Sequence, residues 1–348
     1  MNQQHRAADS WRGKRALITG VCGTVGKELL MQLSTLGLDE IIGIDNNESE
    51  IFFLTETFRG NPSVRLYLGD IRDPEKLMRK MDGIDVVLHS AALKHVILCE
   101  QSPRDAIQTN ILGVQNVIDA AQKNRVGRVL FTSSDKAVNP TNVMGTSKLM
   151  GERLMTAAHS LSRKGGPLFA STRFGNVLGS RGSVIPLFRK QIEAGKPVTL
   201  THPEMTRFIM TLGEAVRLVI DSVFLARGGE VFVTKMPVVK IRDLAEVMVE
   251  TLAPNGNVPI EIIGPKAGEK LYEELMNDEE TRRTIELDRY FSVLPAFKSV
   301  YENIDYTYPE PHGAPGVTNA YNSSNEAAMT KAALKDYLIA NRLLETGE

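Results

Sequence analysis

The chain has 348 residues, enough for one large domain or two closely joined ones around a sizeable core. Its 41 lysines and arginines nearly balance 42 aspartates and glutamates, which excludes a broad nucleic-acid footprint or attraction to a membrane surface and leaves room for a local basic pocket. The two cysteines, Cys22 and Cys99, exclude a disulfide framework and favour a reducing compartment.

No apolar run nears the roughly 20 residues that span a bilayer, and the polar start has no secretory signal. The expected location is therefore cytoplasmic, with neither membrane nor nucleic acid as a partner. The first dozen residues are expected to be loose. ALITG (16–20) reads as a buried strand, followed by a helix from about 25 to 36. EIIGID (40–45), SVRLYLGD (63–70) and DVVLHSA (85–91) read as the next three strands, with a helix around 110–123. RVLFTSS (128–134) and PLFASTRFGNV (167–177) are a fifth and sixth strand, separated by a helix through 147–161. Continuous apolar strands alternating with helices predict an α/β fold, a doubly wound parallel sheet of the Rossmann type. Its ligands are expected beyond the carboxyl ends of the strands, at Gly20, Asp45, Asp70, Ala91 and Ser134.

Residues 1–177 are assigned to a dinucleotide-binding domain. Residues 178–348 are assigned mainly to a smaller substrate lobe, with about 208–240 returning to the main sheet. EKLYEEL (269–275) is expected to be helical, the tail from 300 to 322 to wrap the surface, and a last helix to start near Ser324.

The first motif is Gly20-x-x-Gly23-x-x-Gly26, between a strand and a helix. Such glycines let a pyrophosphate approach backbone N–H groups at a helix N-terminus; a tight turn alone is the alternative. Thr24 and Val25 belong to the same loop. Asp45, about 20 residues on, suits the adenosine ribose and repels a 2′-phosphate, favouring NAD over NADP. A turn or helix cap is its alternative role. Asp70 is placed to meet adenine, or equally to cap the next helix.

A second constellation runs Thr132-Ser133-Ser134-Asp135-Lys136, then Asn142 to Lys148. A hydroxyl, a carboxylate and an ammonium group leave the end of a central strand together, and a second lysine follows on a helix. Near a cofactor such groups suit proton transfer; a plain Asp135–Lys136 ion pair is the bland reading. His89 and His95 lack metal-ligand spacing, and no metal is expected.

The blocks LHSAALKHV (88–96), TSSDKAVNPTNVMGTSK (132–148), FGNVLGSRGSVIPLF (174–188), THPEMTRFIMT (201–211) and GEKLYEEL (268–275) together resemble the UDP-N-acetylglucosamine 4,6-dehydratases. These are extended short-chain dehydrogenases/reductases of bacterial surface-glycan pathways. The resemblance implies an NAD-dependent lyase acting on a UDP-sugar, and the fold often pairs into homo-oligomers. By this likeness Ser134 contacts the sugar near its 4-oxygen, Asp135 and Lys136 are the acid/base pair of elimination, and Lys148 holds the nicotinamide ribose. Ile71, Ala91, Ala92, Lys94 and Asn110 are implied on the cofactor side. On the substrate side are Lys94, His95, Asn176, Arg181, Ser183, Arg207, Glu269 and Lys270.

Met144 departs from the common pattern, which has Tyr four residues before the lysine; a thioether cannot titrate. Met-x-x-x-Lys resembles a branch of these dehydratases, typically large and membrane-anchored, that retains the configuration at carbon 5. The first alcohol proton then falls to Asp135, directly or through water and Ser134. Lys136 is expected to act as the carbon-5 base, its pKa lowered by desolvation. Ile97 stands where the family often has proline.

Overall fold

The computed structural model describes residues 9–162, 165–180, 182–254, 256, 258–264, 268–297, 304–308 and 317–345. Among these residues nine strands form one sheet: β1 (Arg15–Thr19), β2 (Glu40–Asp45), β3 (Val64–Leu68), β4 (Val86–His89), β5 (Arg128–Ser134), β6 (Leu168–Phe174), β7 (Val231–Thr234), β8 (Thr284–Glu286) and β9 (Tyr290–Val293). Their order is β3-β2-β1-β4-β5-β6-β7-β9-β8. All pairings from β3 through β7 are parallel, and the hairpin β8–β9 closes that edge antiparallel. β4 and β1 are buried along almost their whole length, as continuous apolar strings under two helical layers must be. β3 sits at the sheet edge and is half-exposed.

Helices α1 (Thr24–Leu33), α2 (Glu48–Thr57), α3 (Pro74–Lys80), α4 (Val96–Gln101), α5 (Gly113–Lys123), α6 (Val143–Leu161), α7 (Val184–Glu193), α8 (Leu212–Leu225), α9 (Ile241–Leu252) and α10 (Lys331–Ala340) follow in chain order. Leu29, Leu33, Val216 and Val219, from α1 and α8, pack on one face of the sheet. Leu77, Val117 and Met155, from α3, α5 and α6, pack on the other. A separate apolar cluster joins Ile185, Phe188, Leu244, Met248, Leu334 and Leu338 of α7, α9 and α10 in the smaller lobe. The strand order reverses between β1 and β4, and a ligand crevice opens at such a switch point.

Several expectations are corrected. Trp11 is not loose: its ring is fully buried and meets Phe224 edge-on at 5.1 Å. Within 208–240, α8 and β7 join the main sheet, whereas Thr206–Met210 and Val238–Lys240 pair with one another in a separate three-stranded sheet. The stretch 269–275 is not helical. Glu274–Met276 is a strand paired antiparallel with Tyr321–Asn322, so long-range pairing overrides the local helical spacing. Ser324 lies in a turn: its N–H and that of Asn325 both donate to Asn322 Oδ1. The last helix starts later, where Thr330 Oγ1 accepts from the Ala333 N–H.

β6 carries the contact that fastens the lobe to the sheet. Arg173, 1% exposed, is bidentate to Glu152 of α6 (2.9 and 2.8 Å) and to Glu280 (2.8 and 2.8 Å), and donates to the Leu275 carbonyl at 2.9 Å. Removing one partner of such a buried pair strands the remaining charge at a cost of about 3–5 kcal/mol. Arg173→Met, with two carboxylates left behind, is expected to lower unfolding stability by at least that amount in urea titration. A loss within about 0.5 kcal/mol, typical of a surface change, would contradict this role.

Candidate active site

Gly20 follows β1 with φ +71°, and a methyl group there would sit 2.7 Å from the Ala91 backbone after β4. At Gly26 a methyl group would collide with the Gly20 carbonyl oxygen. The two glycines therefore allow a tight turn into α1 and close passage against the neighbouring strand end. Gly23 caps α1 without a side-chain acceptor, and Thr24 and Val25 open a first turn that carries no acidic residue. Those N–H groups are left for an anion. Asp45, at the end of β2, accepts from the Cys22 N–H and the Asn47 N–H, both at 3.0 Å. Its carboxylate thus fastens the glycine loop and the turn after β2. A pyrophosphate-bridged dinucleotide fits this cradle.

Asp70 does not cap the next helix, where Asp73 accepts from the Lys76 N–H at 3.0 Å; it accepts instead from the Arg72 N–H at 2.8 Å and pairs with the Arg72 guanidinium at 2.6 Å. The Arg72 hydrogen bond outweighs partial burial and pulls the Asp70 carboxyl down to about 2. Ile71 is buried, packed where a methyl group on Gly113 would meet its Cδ1. Ala91 and Ala92 line the chain leaving β4, half-buried. Asn110 lies in a π-helical stretch, Ile107–Leu112, ahead of α5. Its buried amide clasps both the N–H and carbonyl of Leu93, at 2.8 and 2.9 Å, and reaches Ser147 Oγ at 2.9 Å. Asn110 therefore braces the loop carrying Ala91, Ala92 and Lys94 against α6.

Asn142 caps α6, its Oδ1 accepting from the Gly145 N–H at 2.8 Å. Met144 and Lys148 follow one turn apart on the buried face. Met144 packs with Cys99 and Ala106, flanked by Val96 and Val143, and fills an apolar niche under α4. Lys148 Nζ donates to the Thr132 carbonyl at 2.9 Å and lies 4.8 Å from the Phe131 ring centre. Burial lowers its ammonium to about 8. Beside it His89, fully buried with Nδ1 2.7 Å from Thr19 Oγ1, is lowered to about 3 by burial and by the Lys148 charge. That imidazole is neutral throughout the physiological range and leaves Lys148 as the cation at this point.

β5 ends in Ser134, whose Oγ accepts from the Lys136 N–H at 3.2 Å and turns the chain. Asp135 is 2% exposed, and Lys136 Nζ donates to its two oxygens at 2.9 and 3.2 Å. Sequence reasoning missed the next member, Glu273. Its Oε1 lies 3.6 Å from Lys136 Nζ and 3.3 Å from Arg207 Nε. The signal was present in GEKLYEEL, but a helical reading hid which of its acids faces the site. Arg207 is held by the Thr206 and Lys270 carbonyls at 2.7 and 2.8 Å and pairs more loosely with Glu269 at 3.8 Å.

Burial pushes Asp135 up, but Lys136 and a hydrogen bond from Glu273 outweigh it and hold the carboxyl below its ordinary range. For Glu273, burial and then the Asp135 charge act together and raise it to about 7. Lys136 corrects the expected downward shift. Burial does lower it, but the Asp135 and Glu273 carboxylates together lift the ammonium above its ordinary value.

A cleft of about 780 Å³ opens in front of this cluster. Lys94, His95, Asn176, Ser183, Arg207, Glu269 and Lys270 all line it, with Lys136 and Glu273. Arg181 lies outside the described residues. Ser183 caps α7 with no hydrogen bond from its side chain. Lys270 Nζ donates to the Val138 carbonyl at 3.0 Å and pairs with Glu274 at 2.9 Å. The cleft thus joins a basic, polar wall to a buried acid–base cluster, an arrangement suited to a polar, anionic ligand. Among the described residues no helix is long and apolar enough to cross a membrane.

The model of a family described as polysaccharide biosynthesis protein matches residues 16–295. An uncharacterized membrane protein of Methanocaldococcus jannaschii is 47% identical over 290 residues, covering 82% of this chain and 87% of that protein. The UDP-N-acetylglucosamine 4,6-dehydratase (inverting) of Campylobacter jejuni is 39% identical over 296 residues, 84% of this chain and 86% of that one. A UDP-glucose 4-epimerase of Rickettsia felis is 36% identical over 333 residues, 94% and 95% of the two chains. The X-ray structure of Pen from Bacillus thuringiensis superposes with a TM-score of 0.86 at 40% identity, over 95% of this chain and 98% of that one. With its doubly wound sheet, glycine cradle and matched length, the chain belongs to the polysaccharide biosynthesis family, the extended short-chain dehydrogenases/reductases that include the UDP-N-acetylglucosamine 4,6-dehydratases.

Proposed function

We propose that this protein is an NAD-dependent lyase that converts UDP-N-acetylglucosamine to the UDP-4-keto-6-deoxy sugar, retains configuration at carbon 5 and feeds surface-glycan synthesis. The observation that carries the reading is the buried Asp135–Lys136 pair at the end of β5, beside the cleft. Epimerisation at carbon 4 alone requires no group to expel a 6-hydroxyl, so this pair favours dehydration over the epimerase activity named for one relative. Asp45 supports NAD over NADP, since a carboxylate there repels a 2′-phosphate.

The residues that hold the cofactor are the Gly20–Gly26 loop, Asp45 and Lys148. A bound nicotinamide dinucleotide supplies storage for the hydride between its loss from carbon 4 and its return to carbon 6. Asp135 accepts the proton of the 4-hydroxyl, directly or through Ser134 and water, and the resulting ketone acidifies the proton on carbon 5. Protonating Asp135 removes the anion that pairs most closely with Lys136 and holds it in its ammonium form. Lys136 then sheds its proton to the water of the cleft and takes the proton from carbon 5, while Asp135 gives its proton to the departing 6-oxygen, which leaves as water. The same amine returns a proton to the same face, which gives retention. Met144 supplies no competing acid: it is apolar, buried and packed against Cys99.

Mixing the cofactor-loaded protein with UDP-N-acetylglucosamine is expected to yield, by mass spectrometry, a sugar nucleotide lighter by one water. Unchanged mass with an altered configuration at carbon 4 would replace this reading with an epimerase. Asp135→Asn is expected to reduce kcat about 10²–10⁴-fold, the usual contribution of a general acid or base. Met144→Leu, close in volume and equally untitratable, is expected to keep most of the activity. Equal, severe losses in the two variants would give the thioether a chemical part that packing does not explain.

A further inference from the structure

A single carboxyl group at Asp135 has two tasks in the reading above: taking a proton from the 4-oxygen and giving one to the departing 6-oxygen. The site holds a second carboxyl group suited to one of them. Glu273, 5% exposed, faces the cleft beside Lys136, whose ammonium pairs both with Glu273 at 3.6 Å and with Asp135 at 2.9 Å. Two buried carboxyl groups gathered on one ammonium repel when both are ionised, which favours one proton held between the two. The surrounding charges fit one shared proton: Lys136 at 3.6 Å and Arg207 at 3.3 Å from Glu273 Oε1, with Glu269 3.8 Å from Arg207 Nη2. Lys270, also nearby, is occupied by Glu274.

The position of Glu273 is built from outside the site. Ser323 Oγ accepts from the Glu273 N–H at 2.9 Å, and the Ser323 N–H donates to the Glu273 carbonyl at 2.9 Å. The same hydroxyl lies 2.9 Å from Thr206 Oγ1, next to Arg207. Both backbone groups of Glu273 are thereby fixed by the returning C-terminal segment, and its side chain is committed to the Asp135–Arg207 gap.

We propose that Glu273 is a further catalytic residue, the acid that protonates the departing 6-hydroxyl, and that it works by sharing one proton with Asp135. The inference rests on the dehydratase reading. The 4-hydroxyl proton enters at Asp135, and the proton already on Glu273 leaves with the 6-oxygen as water. Neutral Lys136 takes the carbon-5 proton as the carbon 6–oxygen bond breaks and the carbon 5–carbon 6 double bond forms. The hydride lost from carbon 4, which a bound nicotinamide dinucleotide would hold, adds to carbon 6, and Lys136 returns a proton to carbon 5. Lys136 regains from water the proton it shed, and the proton on Asp135 is again shared with Glu273. Each proton and electron pair is accounted for, and neither carboxyl group has to reach both oxygens. The upward shift of Glu273 to about 7, caused by burial and by Asp135, agrees with a proton held there at neutral pH.

The test has two arms. In the cofactor-loaded protein with labelled carboxyl carbons, NMR titration is expected to show Glu273 protonating near neutral pH, and Asp135→Asn is expected to return it toward the ordinary carboxylate range. This arm needs no substrate, so it stands even if UDP-N-acetylglucosamine is not turned over; in that case the dehydratase reading fails and the proton sharing is judged alone. In the kinetic arm, kcat of the wild type is expected to fall as pH rises past about 7, where the shared proton is lost. Glu273→Gln is expected to abolish that limb and lower kcat by about 10²-fold or more with KM little changed. Glu273→Asp, which keeps a carboxyl group, is expected to recover part of the rate and restore the limb. Glu273 titrating as an ordinary carboxylate and unmoved by Asp135→Asn, or Glu273→Gln with an unchanged kcat and pH profile, would overturn the proposal.

Discussion

Arg173 makes the contact on which the rest of the arrangement depends. A guanidinium carries its donors in a rigid planar fork, so holding two carboxylates at once fixes the angle between the groups that bear them. Here those groups are α6, which carries Met144 and Lys148, and the segment from Leu275 to Glu280, which lies just beyond Glu273. Helix α6 and the segment that follows Glu273 are thus referred to one strand of the sheet. A cation buried this deeply is stable only while both anions remain, which links lobe docking to site geometry.

The second theme is how charge is arranged where a tyrosine is absent. A phenol at 144 would give the site a titrating group on α6, whereas Met144 adds only packing beside the buried Lys148. The titrating groups gather instead around the end of β5, where two carboxyl groups face two cations. Low dielectric makes every change of protonation in such a cluster felt by its neighbours. The base role proposed for Lys136 is consequently not an intrinsic property of its burial. It depends on the protonation of Asp135 and Glu273, which alone keep the ammonium high.

The parallel strands and the glycine loop were legible in the sequence because each is encoded locally. Unbroken apolar runs mark strands covered on both faces, and Gly20, Gly23 and Gly26 fall between a strand and a helix. The family blocks led to Lys136, Arg207, Glu269 and Lys270, which line one cleft, and to Asp135, which pairs with Lys136 behind it. What stayed hidden depends on partners far along the chain. EKLYEEL carries glutamates at helical spacing, and only pairing with Tyr321–Asn322 makes its end a strand and turns Glu273 to the site. Likewise no local pattern announces that Asn110 braces a loop near Leu93, or that Arg173 meets Glu152 and Glu280.

The central claim is a proton taken from carbon 5 and returned there, with a hydride moved from carbon 4 to carbon 6. Proton NMR of the sugar nucleotide formed from UDP-N-acetylglucosamine in deuterated water tests it most directly. The account predicts deuterium at carbon 5 with the configuration there unchanged, a carbon-6 methyl group free of solvent deuterium, and loss of both signatures in Lys136→Met. A product that keeps its 6-hydroxyl, or carries solvent deuterium in the methyl group and none at carbon 5, would contradict it.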